Sequence, residues 1–67
     1  MTSVYEKVCS ILKTGNKEIT STQISKEMDI PAEDISIILQ TLCEMKKFPG
    51  ANICYEKHTK LNALKFD

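Results

Sequence analysis

Basic side chains concentrate in the last third of the chain, and their chemistry suits contact with phosphate groups. The candidates among them are Lys46, Lys47, Lys57, His58 and Lys60. Ammonium groups neutralise phosphate charge and position a protein on a nucleic-acid backbone without reading its sequence. Lysines in a surface turn are also commonly just solvated, and this second interpretation stays open beside the first.

The other reactive side chains form no recognisable metal or catalytic pattern. Cys54 and His58 have a C-x3-H spacing, and Cys9 and Cys43 are the further thiols that a zinc site would need. Because no closely spaced cysteine pair occurs, we predict no metal site and no cofactor. One histidine, no glycine-rich phosphate loop and no room for a deep pocket predict that the chain is not an enzyme and takes no small-molecule substrate.

Length and composition predict one small globular domain, spanning residues 1–67. The chain is 42% hydrophobic and 27% charged, and its formal net charge is zero. No large uniform field therefore draws it to nucleic acid or to an anionic membrane. Arginine is absent, which argues against base-specific recognition because the guanidinium group is the commonest specific reader of guanine.

The charges are distributed unevenly along the chain. Residues 1–28 contain four lysines and three acids, residues 29–45 contain four acids and no lysine, and residues 46–67 contain five lysines and two acids. The middle segment is therefore acidic and the C-terminal segment is basic. Attraction to a phosphate backbone is expected to come chiefly from the C-terminal segment.

The cysteines and the hydropathy pattern indicate in which cellular compartment the protein is found. Cys9, Cys43 and Cys54 are odd in number and far apart, so a complete intramolecular disulfide framework is impossible. A reducing compartment fits this pattern, and we predict the cytoplasm or the nucleus. No signal peptide is recognisable and no apolar run approaches membrane length, so we expect no membrane association.

Apolar spacing predicts two helices in the first half of the chain. In residues 3–14 apolar side chains recur at spacings of three and four, and Gly15-Asn16 ends this helix. A short extended stretch carrying Ile19 follows. Thr20 and Gln23 then form a capping-box pattern, which predicts a second helix over residues 21–28.

A tight turn, a third helix and a hairpin follow. In Asp29-Ile30-Pro31 the residue before proline leaves helical geometry, and proline suits the first position of a helix that should reach Lys46. After Gly50 the apolar period changes from about 3.6 to about 2, which predicts two strands joined by the polar stretch EKHTKLN. The predicted core comprises Val8, Ile11, Leu12, Ile24, Met28, Ile35, Leu39, Leu42, Ile53, Leu64 and Phe66, with Tyr5, Met45 and Phe48 also assigned to it.

This order of elements resembles the winged helix-turn-helix family. The resemblance rests on TSTQISKEMDIPAEDISIILQTL and on the two-strand tail, and it covers residues 3–66. It implies an α+β fold of three helices, in which a short strand joins the C-terminal hairpin, called the wing, in a small sheet. The family includes sequence-specific regulators, non-specific nucleic-acid binders and protein-docking modules.

The resemblance also implies a mode of DNA binding. In the family the third helix lies in the major groove, and exposed positions in its first half contact bases. Those positions here are Ala32, Glu33, Ser36, Ile37, Gln40 and Thr41. Among them, Ser36, Gln40 and Thr41 can hydrogen-bond base edges, and Ile37 can contact a thymine methyl group. The implied partner is double-stranded DNA, held mainly by the lysine-bearing wing with the third helix as a weak reader, in a transcription-related or regulatory role.

Two other comparisons bear on function. Some winged helices in replication and transcription complexes resemble this chain in being near-neutral, and they bind proteins. The alternative hypothesis is therefore a protein-interaction module within a larger nucleic-acid-processing complex. It would use the acidic and apolar face of the third helix, formed by Glu33, Ile37 and Glu44. The domains that bind left-handed Z-form nucleic acid are similar in the register of helices 2 and 3. Their asparagine and tyrosine are replaced here by Ser36 and Gln40, and this chain has no tryptophan. That activity is therefore not transferred.

Overall fold

The computed structural model describes residues 3–66, which form three helices and a three-stranded antiparallel sheet. The elements are α1 (Val4–Lys13), β1 (Glu18–Thr20), α2 (Ser21–Met28), α3 (Ala32–Glu44), β2 (Ala51–Tyr55) and β3 (Asn62–Phe66). The strand order is β1-β3-β2, so the last strand in the chain is central. The predicted α+β class, with three helices, a short strand and a C-terminal hairpin, is confirmed.

Side-chain caps explain where the first two helices begin. Ser3 Oγ accepts a hydrogen bond from the Glu6 backbone N–H at 3.1 Å, and the Glu6 carboxylate accepts one from the Ser3 N–H at 3.2 Å. This capping box at the start of α1 was not predicted. At the start of α2, Thr20 Oγ1 accepts a hydrogen bond from the Gln23 N–H at 3.0 Å, as the sequence pattern indicates.

The end of α3 differs from the prediction, since the helix stops at Glu44 and does not reach Lys46. The Lys46 N–H donates to the Cys43 carbonyl at 3.0 Å, and the Lys47 N–H donates to the Leu42 carbonyl at 3.1 Å. These two bonds are those of a Schellman motif, whose left-handed residue is usually glycine. Here Lys46 occupies that position with φ 57°, so the usual sequence signal is missing.

The core lies between the helices and one face of the sheet. Of the predicted core residues, Val8, Ile11, Ile24, Ile35, Leu39 and Leu64 are buried, and the remaining five are half-buried against them. Ile19 is fully buried opposite Leu64, and Val4 is also buried, although neither was assigned to the core. Phe48 is buried as predicted, with its ring centroid 5.0 Å from that of Tyr5 in a stacked arrangement.

Two aromatic or long apolar residues depart from the predicted core. Met45 is 57% exposed, and its assignment to the core is wrong because α3 ends before it. Tyr5 remains 41% exposed, although one face of its ring covers Phe48. Within residues 3–66, no helix is both long enough and apolar enough to cross a bilayer.

Candidate functional site

The turn between β2 and β3, residues 56–61, carries three exposed basic side chains. Lys57, His58 and Lys60 are all exposed, as the sequence predicts. The turn is closed by a hydrogen bond from the Glu56 N–H to the Leu61 carbonyl at 2.9 Å and by one from the Lys60 N–H to the Glu56 carbonyl at 3.1 Å. The ion pair found among residues 3–66 joins Lys7 and Glu27 at 2.9 Å, so neither lysine of the turn forms an ion pair with a described carboxylate.

Glu56 anchors this turn to the start of α2. Its carboxylate accepts hydrogen bonds from the Thr22 hydroxyl at 3.0 Å, from the Thr22 N–H at 3.4 Å and from the Thr59 hydroxyl. Partial burial raises the pKa of Glu56, but the hydrogen bonds from Thr59 and Thr22 together lower it more, so that the pKa lies below its ordinary value. The carboxylate also interacts favourably with the positive end of the α2 dipole. The turn is therefore held in one position relative to the helix.

An open depression of about 550 Å³ lies between the turn and α2. Lys57 and His58 line it on the side of the turn, and Gln23 and Lys26 line it on the side of the helix. Lys26 is exposed and adds a fourth cationic or hydrogen-bonding group to this side of the molecule, a group that the sequence analysis did not single out.

Ser36 is not available for contact with a ligand, contrary to the prediction that it is exposed. It is 8% exposed, and its hydroxyl accepts a hydrogen bond from the Asn62 N–H at 2.9 Å. Its carbonyl accepts a second one from Asn62 Nδ2, also at 2.9 Å. Ser36 therefore lies on the face of α3 that packs against the hairpin.

Gln40 is exposed but already engaged at both ends of its amide. Its Oε1 accepts a hydrogen bond from Asn62 Nδ2 at 3.3 Å, and its Nε2 donates one to Glu44 at 3.0 Å. The Asn62 carbonyl in turn accepts a hydrogen bond from the buried Ser21 hydroxyl at 2.5 Å. Asn62 thus connects α2, α3 and β3, a role that sequence reasoning missed because the residue was assigned to the polar turn.

The solvent-exposed face of α3 is apolar at its centre and acidic at its ends. Ile37 is 65% exposed, and the neighbouring Thr41 is exposed with its hydroxyl donating to the Ile37 carbonyl at 2.9 Å. Glu33 and Asp34 are exposed in the first turn of the helix, and Glu44 is exposed in the last. The two predicted reading positions that remain available, Ile37 and Thr41, are therefore flanked by carboxylates.

The structure does not bring the predicted cations together into one cluster. Lys46 and Lys47 are exposed, but they precede β2, whereas the turn cations follow it. A strand of this length separates its two ends by roughly 15 Å. The cationic residues therefore form one group at the hairpin turn and a second group near the base of the hairpin.

The cysteines make local contacts. Cys43 Sγ lies 3.8 Å from the Ala51 carbonyl oxygen and Cys54 Sγ lies 3.7 Å from that of Ala63, and both act as hydrogen-bond donors. In the part of the chain that the structure describes, no group of three or more histidine, cysteine, aspartate or glutamate side chains is placed to hold a metal ion.

No family model, no curated protein and no solved structure matches this chain. Conclusions about its function therefore depend on the arrangement of its own residues.

Proposed function

We propose that the chain is a winged helix-turn-helix domain that binds the phosphate backbone of double-stranded DNA through its hairpin turn, in a transcription-related or regulatory role. The observation that carries this proposal is the exposure of Lys57, His58 and Lys60 on a turn that Glu56 anchors to α2. The fold assignment is supported by the strand order β1-β3-β2, in which the short strand after α1 pairs with the C-terminal hairpin.

The anchored turn favours backbone binding for two reasons. Lys57 and Lys60 present ammonium groups that form no ion pair within residues 3–66. Lys26 adds a third beside the open depression, whose lining also includes the carboxylates of Glu27 and Glu56. Because Glu56 already fixes the turn, less conformational entropy is lost when a phosphate binds. The imidazole of His58 supplies a further hydrogen-bond donor.

The α3 helix is at most a weak reader of bases in this proposal. Ile37 and Thr41 are the exposed candidates, while Ser36 is buried against Asn62. The carboxylates at both ends of the exposed face oppose approach to a phosphate backbone. Binding is therefore expected to be weak, insensitive to sequence and sensitive to salt.

The proposal is tested with Lys57→Ala combined with Lys60→Ala. Binding to a mixed-sequence duplex, measured by fluorescence anisotropy from about 50 mM salt upward, should weaken. The slope of log K against log salt should decrease by about 1 for each lost phosphate contact, or about 2 in all. The matched control is Lys13→Ala with Lys17→Ala, which removes the same charge from exposed sites outside the turn.

A third variant separates the two cationic groups. If the turn alone holds the duplex, Lys46→Ala with Lys47→Ala should leave the salt slope nearly unchanged. If the duplex also contacts the base of the hairpin, this variant should reduce the slope as well. Absence of binding to mixed-sequence duplex at about 50 mM salt would contradict the proposal. The proposal would also be contradicted if the turn variant and the Lys13 and Lys17 control lost equal affinity for the duplex. The attraction to DNA would then depend on net charge alone.

The thiols are consistent with a nuclear or cytoplasmic location, which we include in the proposal. Cys9, Cys43 and Cys54 are free and half-buried. Free thiols persist in reducing compartments, whereas secreted domains of this size commonly use their cysteines in disulfides.

A further inference from the structure

We infer that a second surface of this domain docks an amphipathic, lysine- and arginine-rich segment of a partner protein. We call this surface the α3 face, and it is formed by Glu33, Ile37, Thr41, Glu44, Met45 and Tyr55. Tyr55 at the edge of this face directly precedes the hairpin turn, but none of the turn cations belongs to the face, and its partner does not depend on DNA binding.

The apolar part of the α3 face follows one line along the helix. Positions four residues apart lie on the same side of a helix, so Ile37 and Thr41 are aligned. Met45, the residue after the helix, follows them, since its N–H donates to the Thr41 carbonyl at 2.9 Å. Ile37 is 65% exposed and Met45 is 57% exposed. Both side chains are long, and methionine adapts its shape to different partners. A partner would remove this apolar surface from water.

Tyr55 adds an exposed aromatic side chain on the side of the sheet that carries α3. It pairs directly with Asn62, and residues that pair directly across two strands project from the same face of the sheet. The Asn62 side chain reaches Gln40 on α3, so Tyr55 also projects from the side of the sheet that carries α3. The Tyr55 side chain is 69% exposed on the edge strand β2. Aromatic residues at such positions commonly anchor protein interfaces.

The charges around the α3 face select the partner. Glu33 and Asp34 lie at one end and Glu44 lies at the other, and none of them is ion-paired within residues 3–66. No lysine occurs between Asp29 and Met45. This pattern disfavours nucleic acid and anionic lipid, and it complements a segment in which cations flank apolar anchors.

A second copy of this chain is a poorer occupant. Its large exposed apolar residues in the described part of the chain are Tyr5, Ile37, Met45 and Tyr55, and three of these four belong to the α3 face itself. Self-association that covers the apolar centre would therefore pair two α3 faces, and the carboxylates of each face would lie against those of the other. The partner is a different protein that carries both features on one segment.

The test uses two synthetic amphipathic helical peptides, one of leucine and lysine and the other of leucine and glutamate. Added to the ¹⁵N-labelled domain, the leucine–lysine peptide should shift the backbone resonances of Ile37, Thr41, Met45 and Tyr55, and the leucine–glutamate peptide should not. Ile37→Ser with Met45→Ser should weaken peptide binding about tenfold or more. Because both residues are exposed, this variant should remain folded.

Two further variants separate the contributions of charge and site. Glu33→Gln with Glu44→Gln should weaken binding of the leucine–lysine peptide and reduce its salt dependence. Lys57→Ala with Lys60→Ala should leave peptide binding unchanged while reducing DNA binding, so the two proposals fail independently. Lys13→Ser with Lys17→Ser is the surface control, and it should change neither peptide binding nor DNA binding.

Three outcomes would overturn this inference. The first is that the leucine–lysine peptide does not bind, or shifts resonances elsewhere. The second is that the leucine–glutamate peptide binds equally well, which would mean that the acids select nothing. The third is concentration-dependent self-association in sedimentation experiments that Ile37→Ser abolishes, because the α3 face would then be covered by a second copy.

Discussion

Replacing Asn62 by alanine should destabilise the domain more than replacing an exposed polar residue on a strand would. The side chain is 7% exposed, and its Nδ2 donates to the Ser36 carbonyl at 2.9 Å and to Gln40 Oε1 at 3.3 Å. Asn62→Ala removes both bonds and leaves space where the amide was. The backbone bonds of Asn62 to Ser21 and Ser36 remain in the variant.

The magnitude follows from the two lost hydrogen bonds. Each contributes about 0.5 to 1.5 kcal/mol net, with the shorter, buried bond to the Ser36 carbonyl at the upper end. Their sum gives an expected loss of about 1 to 3 kcal/mol in the free energy of unfolding. For a domain of this size each kcal/mol corresponds to about 4 to 8 °C in Tm. The loss is a large part of the roughly 3 to 5 kcal/mol that a core this small supplies.

The assay is urea and thermal unfolding followed by circular dichroism, with Asn52→Ala as the matched control. Asn52 lies on the neighbouring strand β2 and is exposed, so its replacement should change stability by less than about 0.5 kcal/mol. Asn62→Asp keeps the shape of the side chain and removes its donors, so it should be at least as destabilising at neutral pH. Equal effects of Asn62→Ala and Asn52→Ala would refute the role that we assign to Asn62.

Three further changes test other parts of the structure. Leu39 is fully buried, so Leu39→Ala should lower the free energy of unfolding, measured in urea, by about 2 to 5 kcal/mol. An unchanged urea midpoint would show that Leu39 does not belong to the core. Lys46→Gly should stabilise the domain by about 0.5 to 1 kcal/mol, because glycine adopts the positive φ of this position without strain. The control Lys47→Gly should give no increase in stability. Because hydrogen bonding lowers the pKa of Glu56, its contribution is complete above about pH 4.5 and is lost as the pH falls through the folded-state pKa. The stability difference between the native chain and Glu56→Gln should therefore narrow in acid unfolding curves below about pH 4.5, and a constant difference would contradict this account.

Helix bounds were predictable where the signals are local. The predicted range of α2 is confirmed because Thr20 provides its cap and the turn before Pro31 prevents its continuation. The end of α3 was predicted too late because Lys46 takes the left-handed conformation that glycine usually adopts. The exposure of Met45 follows from the same cause, since it lies just beyond the helix.

The exposed face of α3 was harder to predict than its buried face. Apolar spacing identifies Ile35 and Leu39 at the centre of the buried face, but it does not show how wide that face is. Ser36 lies at its edge and is covered by Asn62, a residue that follows it by 26 positions. Polar contacts over such a separation leave no periodic signal in the sequence. The exposure of Lys57, His58 and Lys60 was predictable because a polar turn between two strands lies on the surface.

The central place of β3 in the sheet has a consequence for how the chain folds during synthesis. Both β1 and β2 pair with β3, so neither completes its hydrogen bonds until residues 62–66 have left the ribosome. Until then Ile19 and the side chains of α3 that face the sheet stay uncovered, even if the helices have begun to form. The nascent chain therefore gains little from early partial order, and we expect the domain to fold in one late, cooperative step.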